Sequence, residues 1–269
     1  MGDENKIRDA ADAIAGIAKA VPVYQDVAQP AAQEVGRALQ TVAKTVHIAL
    51  APVSALVWGY DQIREFVATK VSERLKTVPP ENIVPPKPNV AGPALEALRY
   101  TGHEGSLSDL YANLLASSMN KDTAQGAHPA FVDIIKQLTS DEAKLLKLFS
   151  LNRPLALISL GIQMSGQQGM RNVVEHYSTL GQEAGCEFPD MTPSYINNLC
   201  RLGIAEVPEF DHYTAQEVYD PLESSSFIAG LKQQIEAAPN QKAKITKKMV
   251  RITALGKQFM RTCLSASDS

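Results

Sequence analysis

The sequence predicts a mainly α-helical chain: an N-terminal helical hairpin or bundle, a proline-rich connector, and a helical C-terminal domain with a winged-helix-like module whose small β-hairpin wing carries an insertion. Three observations predict it. Apolar residues recur at spacings of three and four through most of the chain, prolines crowd the stretch between Thr77 and Pro93, and the last half runs helix, helix, helix, strand, insertion, strand, helix. The predicted divisions are 1–78, 79–93, 94–138 and 139–269, with the insertion at about 208–248.

From Ile7 to Val21 the residues Ile7, Ala10, Ala11, Ile14, Ile17, Ala18 and Val21 form the stripe of an amphipathic helix, which Pro22 stops. A longer helix follows Pro30 through Val35, Leu39, Val42 and Val46. The stretch from Thr45 to Tyr60, TVHIALAPVSALVWGY, carries no formal charge, yet it is shorter than the roughly 20 residues of a spanning helix and contains Pro52. Its apolar residues Val46, Ile48, Leu50, Val53, Leu56, Val57 and Trp58 are the candidate membrane or oligomer segment. They form either a buried hairpin in the soluble state or a segment held back for insertion on activation. The first reading is favoured, because short apolar runs are more often core.

The prolines between Thr77 and Pro93 remove backbone donors and fix φ, so the connector is expected to be extended and semi-rigid. Helices are predicted over Ala94–Tyr100 and Ser106–Met119, the latter with Ser106 as cap and Asp109 closing an approximate capping box. His128-Pro129 opens a helix from Ala130 to Leu138, and Thr139 with Glu142 caps the next. Pro154–Leu160 is a short apolar run, and Arg171–Ala184 is periodic enough to read as helix. Thr192-Pro193 starts a helix closed by Gly203; Ile204–Val207 and Met249–Thr253 are strand-like; Ala254–Leu264 is a closing helix. The inserted stretch, with acidic and aromatic residues and a helix over Ser225–Ala238, is expected to decorate the domain rim.

Composition narrows function. The chain has 269 residues, 45% hydrophobic and 20% charged, with a formal charge of -3 that gives no bulk attraction to nucleic acid or anionic lipid, so nucleic acid is not the expected partner. Cys186, Cys200 and Cys263 make neither a CxxC nor an even disulfide set, and the polar N-terminus lacks a signal-peptide core; a cytoplasmic protein is expected, membrane-associated only on activation. His47, His103, His128, His176 and His212 stand at neither HxxxH nor HExxH spacing, no GxSxG occurs, and GIQMSGQQG lacks the Lys-Ser/Thr of a phosphate loop. No catalytic, metal or cofactor residues are therefore expected. His103 and Glu104 read as helix-start residues and His128 as a structural hydrogen-bond partner, while a site joining all three remains the enzyme alternative.

A helix-turn-helix-like unit suggests DNA, but TPSYINNLCRLG offers only Asn197, Asn198 and Arg201 to it. The basic side chains Lys242, Lys244, Lys247, Lys248 and Arg251 are the candidate nucleic-acid or partner surface, with a solvated face as the ordinary reading.

The central block VAGPALEALRYTGHEGSLSDLYANLLASSMNKDTAQGAHPAFVDIIKQLTSDEAKLLK, with the upstream AQPAAQEVGRALQTVAKTVHIALAPVSALVWGYDQI, resembles the abortive infection alpha family of bacterial and phage-borne proteins. The resemblance covers Val23 to about Lys147, and His103, Glu104, Asn113, His128, Pro129 and Phe131 match the family's recurrent wording. It implies a role in phage defence, in which a cell stops growing or dies before progeny are released, and it supplies no catalytic motif to carry over. The expected protein is non-enzymatic, with N-terminal helices as effector or oligomerisation element and the C-terminal domain as a sensing or docking module. It acts through copies of itself, a protein partner or a membrane; the alternative is a regulator that grips a protein or nucleic acid through the winged-helix-like part.

Overall fold

The computed structural model describes residues 57–264 apart from 152, 167 and 168, and the chain from Val57 onward forms a compact unit of its own. The helices predicted upstream, with Val46, Ile48, Leu50, Val53 and Leu56 of the apolar segment, lie outside the described residues. Described residues are mostly helical, with a small antiparallel sheet.

The first helix among the described residues is α1 (Tyr60–Phe66), running through a π-helical turn (Val67–Val71) into α2 (Ser72–Leu75). Gly59 N–H donates to Gln62 Oε1 at 3.0 Å to begin it, and Phe66 and Val71 are its buried side chains. Trp58 and Val57, read from sequence as part of the apolar segment, are half-buried here. Trp58 N–H donates to the carbonyl of Arg99 at 2.8 Å, its ring sits 5.7 Å from that of Phe66, and it covers Gly102 so closely that a Cβ there would stand 2.4 Å from the ring. Trp58 is the chain's single tryptophan. Gly102→Ala is therefore expected to push the indole outward and shift intrinsic fluorescence to the red; an unchanged emission maximum would show that the ring does not rest on this backbone.

The proline-rich stretch is more structured than its composition predicts. A 3-10 turn (Pro80–Asn82) is followed by backbone bonds from Val84 N–H to Met119 O (2.8 Å) and from Lys121 N–H to Asn82 O (2.9 Å), which tie the connector to the core. It ends at Lys87, because α3 (Pro88–Thr101) begins on Pro88 at a helix position that needs no donor. The expected extended segment to 93 is thus too long by its last residues. Pro93 is tolerated inside α3 on the exposed side, where water can satisfy the carbonyl it leaves unpaired.

At the centre lies α4 (Gly105–Met119), whose only charged side chain is Asp109 and whose Leu107, Leu110, Tyr111, Leu114 and Leu115 are buried. The capping box expected of Ser106 and Asp109 does not form: Glu104 holds the N-cap position without a side-chain cap, and Asp109 instead faces Lys70 and Arg74. Around α4 pack α1–α2, α3, α5 (Ala130–Lys136) and α6 (Ser140–Leu146). The capping box of α6 forms as predicted, with Glu142 N–H donating to Thr139 Oγ1 at 3.2 Å and Thr139 N–H to Glu142 Oε2 at 2.7 Å.

Beyond α6 the sequence reading fails twice, at Arg171–Tyr177 and within the insertion, where residues 241–248 are strand although only a helix is expected there. Arg171–Tyr177, expected as helix, is strand β2, paired antiparallel with β1 (Ala156–Met164). Bulges interrupt this pairing and His176 has φ 56, so the strand never shows the clean alternation that would reveal it. After α7 (Leu180–Glu183) comes α8 (Thr192–Arg201), closed by Gly203 at φ 72 with Ile204 N–H donating to Leu199 O. The two strand-like runs pair antiparallel as β3 (Ala205–Glu206) and β5 (Arg251–Ile252), and α11 (Ala254–Cys263) ends the described chain.

Between them lie α9 (Asp220–Glu223), α10 (Ser226–Ala237) and β4 (Gln241–Met249), which pairs with β1 from Ala156↔Met249 to Met164↔Gln241. This insertion does more than decorate the rim. Tyr219, Leu222, Ile228 and Ile235 cover Ala156, Ile158 and Leu160 to make a second hydrophobic cluster, while Leu155 and Leu157 belong to the helical core. The alternation of β1 thus serves two cores, one on each face.

Candidate interaction surfaces

The residues matching the family wording act as joints between helices. Asn113 is buried on α4; its Nδ2 donates to the carbonyl of Cys263 at 2.8 Å and its Oδ1 accepts from Arg74 Nε. One turn on, Ser117 Oγ donates to the carbonyl of Thr262 at 2.9 Å. Two side chains of α4 therefore satisfy carbonyls at the C-terminus of α11, which the helix itself leaves without partners. Arg74 Nη2 reaches Asp109 at 3.0 Å and Lys70 Nζ reaches it at 3.2 Å, so the turn-and-helix before the connector is locked on the same seam. The seam opens into a cleft of about 520 Å³ lined by Arg74, Asn113, Ser117, Thr123, Arg261 and Thr262.

The remaining motif residues lie at helix starts. Glu104 accepts a hydrogen bond from Ser140 Oγ, tying α4 to α6, and His103 Nε2 is 3.9 Å from Glu104 Oε1. His128 Nδ1 accepts from Ala130 N–H at 3.1 Å across Pro129, the N-cap of α5. Its ring lies 6.0 Å from that of Phe131, which in turn meets Phe259 edge-on at 5.3 Å. Each of His103, Glu104 and His128 has a local structural partner, and among the described residues no hydrogen bond or ion pair joins His128 to the other two.

A polar centre that sequence reasoning missed lies at the start of α6. Asp141, 5% exposed, accepts from Glu187 N–H (2.8 Å), Phe188 N–H (3.0 Å), Tyr195 Oη (3.1 Å) and Lys144 Nζ (2.9 Å). Burial would raise its pKa, but these donors outweigh burial and hold it at about 2. The loop it fixes presents Phe188 and Met191 to solvent. Only Asp141 within the Thr-Ser-Asp-Glu cap signalled this, and a first-turn acid is ordinarily explained by the helix dipole.

The basic run of β4 is divided by the pleat. Lys247 lies 5.1 Å over the Tyr219 ring and bonds to Gln216, while Arg251 on β5 is held by Glu206 (2.7 Å) and Asp211 (2.9 Å). Lys242 and Lys244 are exposed. Among the described residues no group of three His, Cys, Asp or Glu could hold a metal ion, and no helix is long and apolar enough to cross a membrane.

The sequence pattern of the family described as abortive infection alpha matches residues 59–263. No curated protein matches the chain. Among solved structures, the chain is similar to an uncharacterized protein from the hydrocarbon-degrading marine bacterium Alcanivorax borkumensis SK2, at 24% identity over 51% of this chain and 96% of that one, with a TM-score of 0.35.

Proposed function

Since the chain belongs to the abortive infection alpha family, we propose that it is a non-enzymatic phage-defence protein, with the N-terminal region, residues 1–78, as effector or oligomerisation element and the C-terminal domain, residues 139–269, as docking and sensing module. The observation that carries this reading is the use to which the family-like side chains are put. Asn113 caps α11, Glu104 ties α4 to α6, and His128 accepts from the first N–H of α5. Groups committed to holding a frame leave contact surfaces, rather than a reaction centre, to do the work. The β3–β5 pair, set between α8 and α11, supports a winged-helix-like reading of the module, with the β1–β2–β4 sheet as an enlarged wing. On this reading the protein waits in the cytoplasm and engages a partner, further copies of itself or a membrane when infection is sensed.

Two measurements test it. The full chain carrying His103→Gln, Glu104→Gln and His128→Asn keeps hydrogen-bonding side chains at each joint but no acid-base groups, and is expected to restrict phage as the parent does. A folded variant that no longer restricts phage would favour the enzyme alternative. Light-scattering mass with and without liposomes should show assembly or liposome capture; a monomer indifferent to liposomes would remove the proposed effector role.

A further inference from the structure

Strand register sorts the lysines of β4 into two groups. Lys247 falls on the face of Ala243 and Ile245, against the second cluster. Lys242, Lys244 and Lys248 fall on the other face, opposite Gln163, Gly161 and Leu157 of β1, with Thr246 opposite Ser159 between them. The result is a straight row of Lys242, Lys244, Thr246 and Lys248, every member a hydrogen-bond donor and three of them cationic. Among the described residues none of the three lysines has an ion-pair partner, whereas Arg251 has two. Glu175 on β2 is engaged by Asn172 Nδ2 at 2.7 Å.

We infer that this face binds the phosphodiester backbone of an extended single strand of nucleic acid. Residues two apart on a strand stand roughly 7 Å apart, close to the spacing of successive phosphates along an extended polynucleotide. The row therefore offers one donor per phosphate without bending the strand. At the outer end the surroundings fit a polar polymer better than a protein interface, which needs a buried apolar anchor at its centre: the facing positions there on β1 are Gly161 and Gln163, while Ser159 and Leu157, opposite the half-buried Thr246 and Lys248, are buried toward the helical body. Met170 rests against Gly161, where a Cβ would lie 2.5 Å from its Cγ, and places a polarizable surface beside Lys244 on which a base can lie. On the far edge of the sheet His176 Nδ1 meets Asn197 Oδ1 at 2.9 Å, which fastens β2 to α8. Overall charge argued against nucleic acid; the pleat concentrates positive charge on one face regardless of that total. Affinity should be modest and strongly salt-dependent.

The test uses the purified full chain and fluorescence anisotropy of labelled oligothymidylate and oligouridylate at low and near-physiological salt. Binding of either is expected, with the two arms showing whether the sugar matters. Lys242→Glu, Lys244→Glu and Lys248→Glu together should weaken it at least roughly tenfold and flatten the log–log salt slope by about 2, as expected when three phosphate contacts are lost. Lys247→Gln with Arg251→Gln removes cations from the same region but not from this face, and should leave binding nearly unchanged. If the Glu variant fails to fold by circular dichroism, the triple Gln variant should show the same order with a smaller loss. Absence of oligonucleotide binding by the parent chain, an equal loss in the Lys247/Arg251 variant, or capture by phosphatidylserine vesicles without oligonucleotide binding would each overturn the inference. Because binding is read on purified protein, its failure leaves the defence reading standing.

Discussion

Asp141→Ala is expected to destabilise the domain by about 3 kcal/mol at neutral pH, because it strands two backbone N–H groups and the buried Tyr195 hydroxyl and takes the partner from the partly exposed Lys144. The same residue sets a pH dependence. Its folded pKa of about 2 lies below the ordinary 3.8, so the stability it contributes is complete above the unfolded value and is lost as pH falls from about 4 through 2. A depression of this size corresponds to roughly 2.5 kcal/mol. Urea titrations at pH 7 and near pH 2.5 should show the parent weakening through this window and the alanine variant weakening less. Equal midpoints for parent and variant at pH 7 would mean that the Cys186–Phe188 loop is not held from here.

Gly256→Ala should be comparably damaging for a steric reason. Helix propensity favours alanine by about 1 kcal/mol, but a Cβ at Gly256 would stand 2.0 Å from the carbonyl oxygen of Ile204 and 2.7 Å from Ile252 Cδ1. A backbone oxygen cannot rotate aside, so α11 must shift from the β3–β5 pair. That shift also strains the cap in which Gly256 N–H donates to Thr253 Oγ1 at 2.9 Å. The expected cost is about 3 kcal/mol, at the upper end of overpacking changes. Gly230→Ala on α10 is the control: nothing lies within 4 Å of its Cβ, so propensity alone should act and stability should rise by roughly 0.5–1 kcal/mol. If thermal unfolding shows both variants moving the same way, the close approach at Gly256 is not what limits it.

Legibility of the fold followed locality. The Thr139–Glu142 box and the Gly203 stop could be read because each depends on residues within a turn of one another. The connector was misjudged at its end because Pro88 serves as a helix start, which composition cannot distinguish from a break. Strand β2 was hidden by bulges and by Val173 and Val174 standing side by side, and β1 by being apolar on both faces. The family-like residues could be named but not given roles, since Asn113 meets its partner at Cys263, 150 positions away. For the lysines, the spacing was visible from the start; only the knowledge that Gln241–Met249 is a strand turns spacing into sides.

The double service of β1 has a further consequence. The odd-numbered Leu157, with Leu155 just before the strand, and the even-numbered Ala156, Ile158 and Leu160 are read by different cores, so the strand's phase is one setting consulted twice. Loss of a single residue just ahead of Leu155 would present each core with the other's side chains, and neither could repack independently. Loss of two would keep the phase and merely shorten the approach. The helical body and the inserted layer are thus joined less by the area between them than by a shared parity.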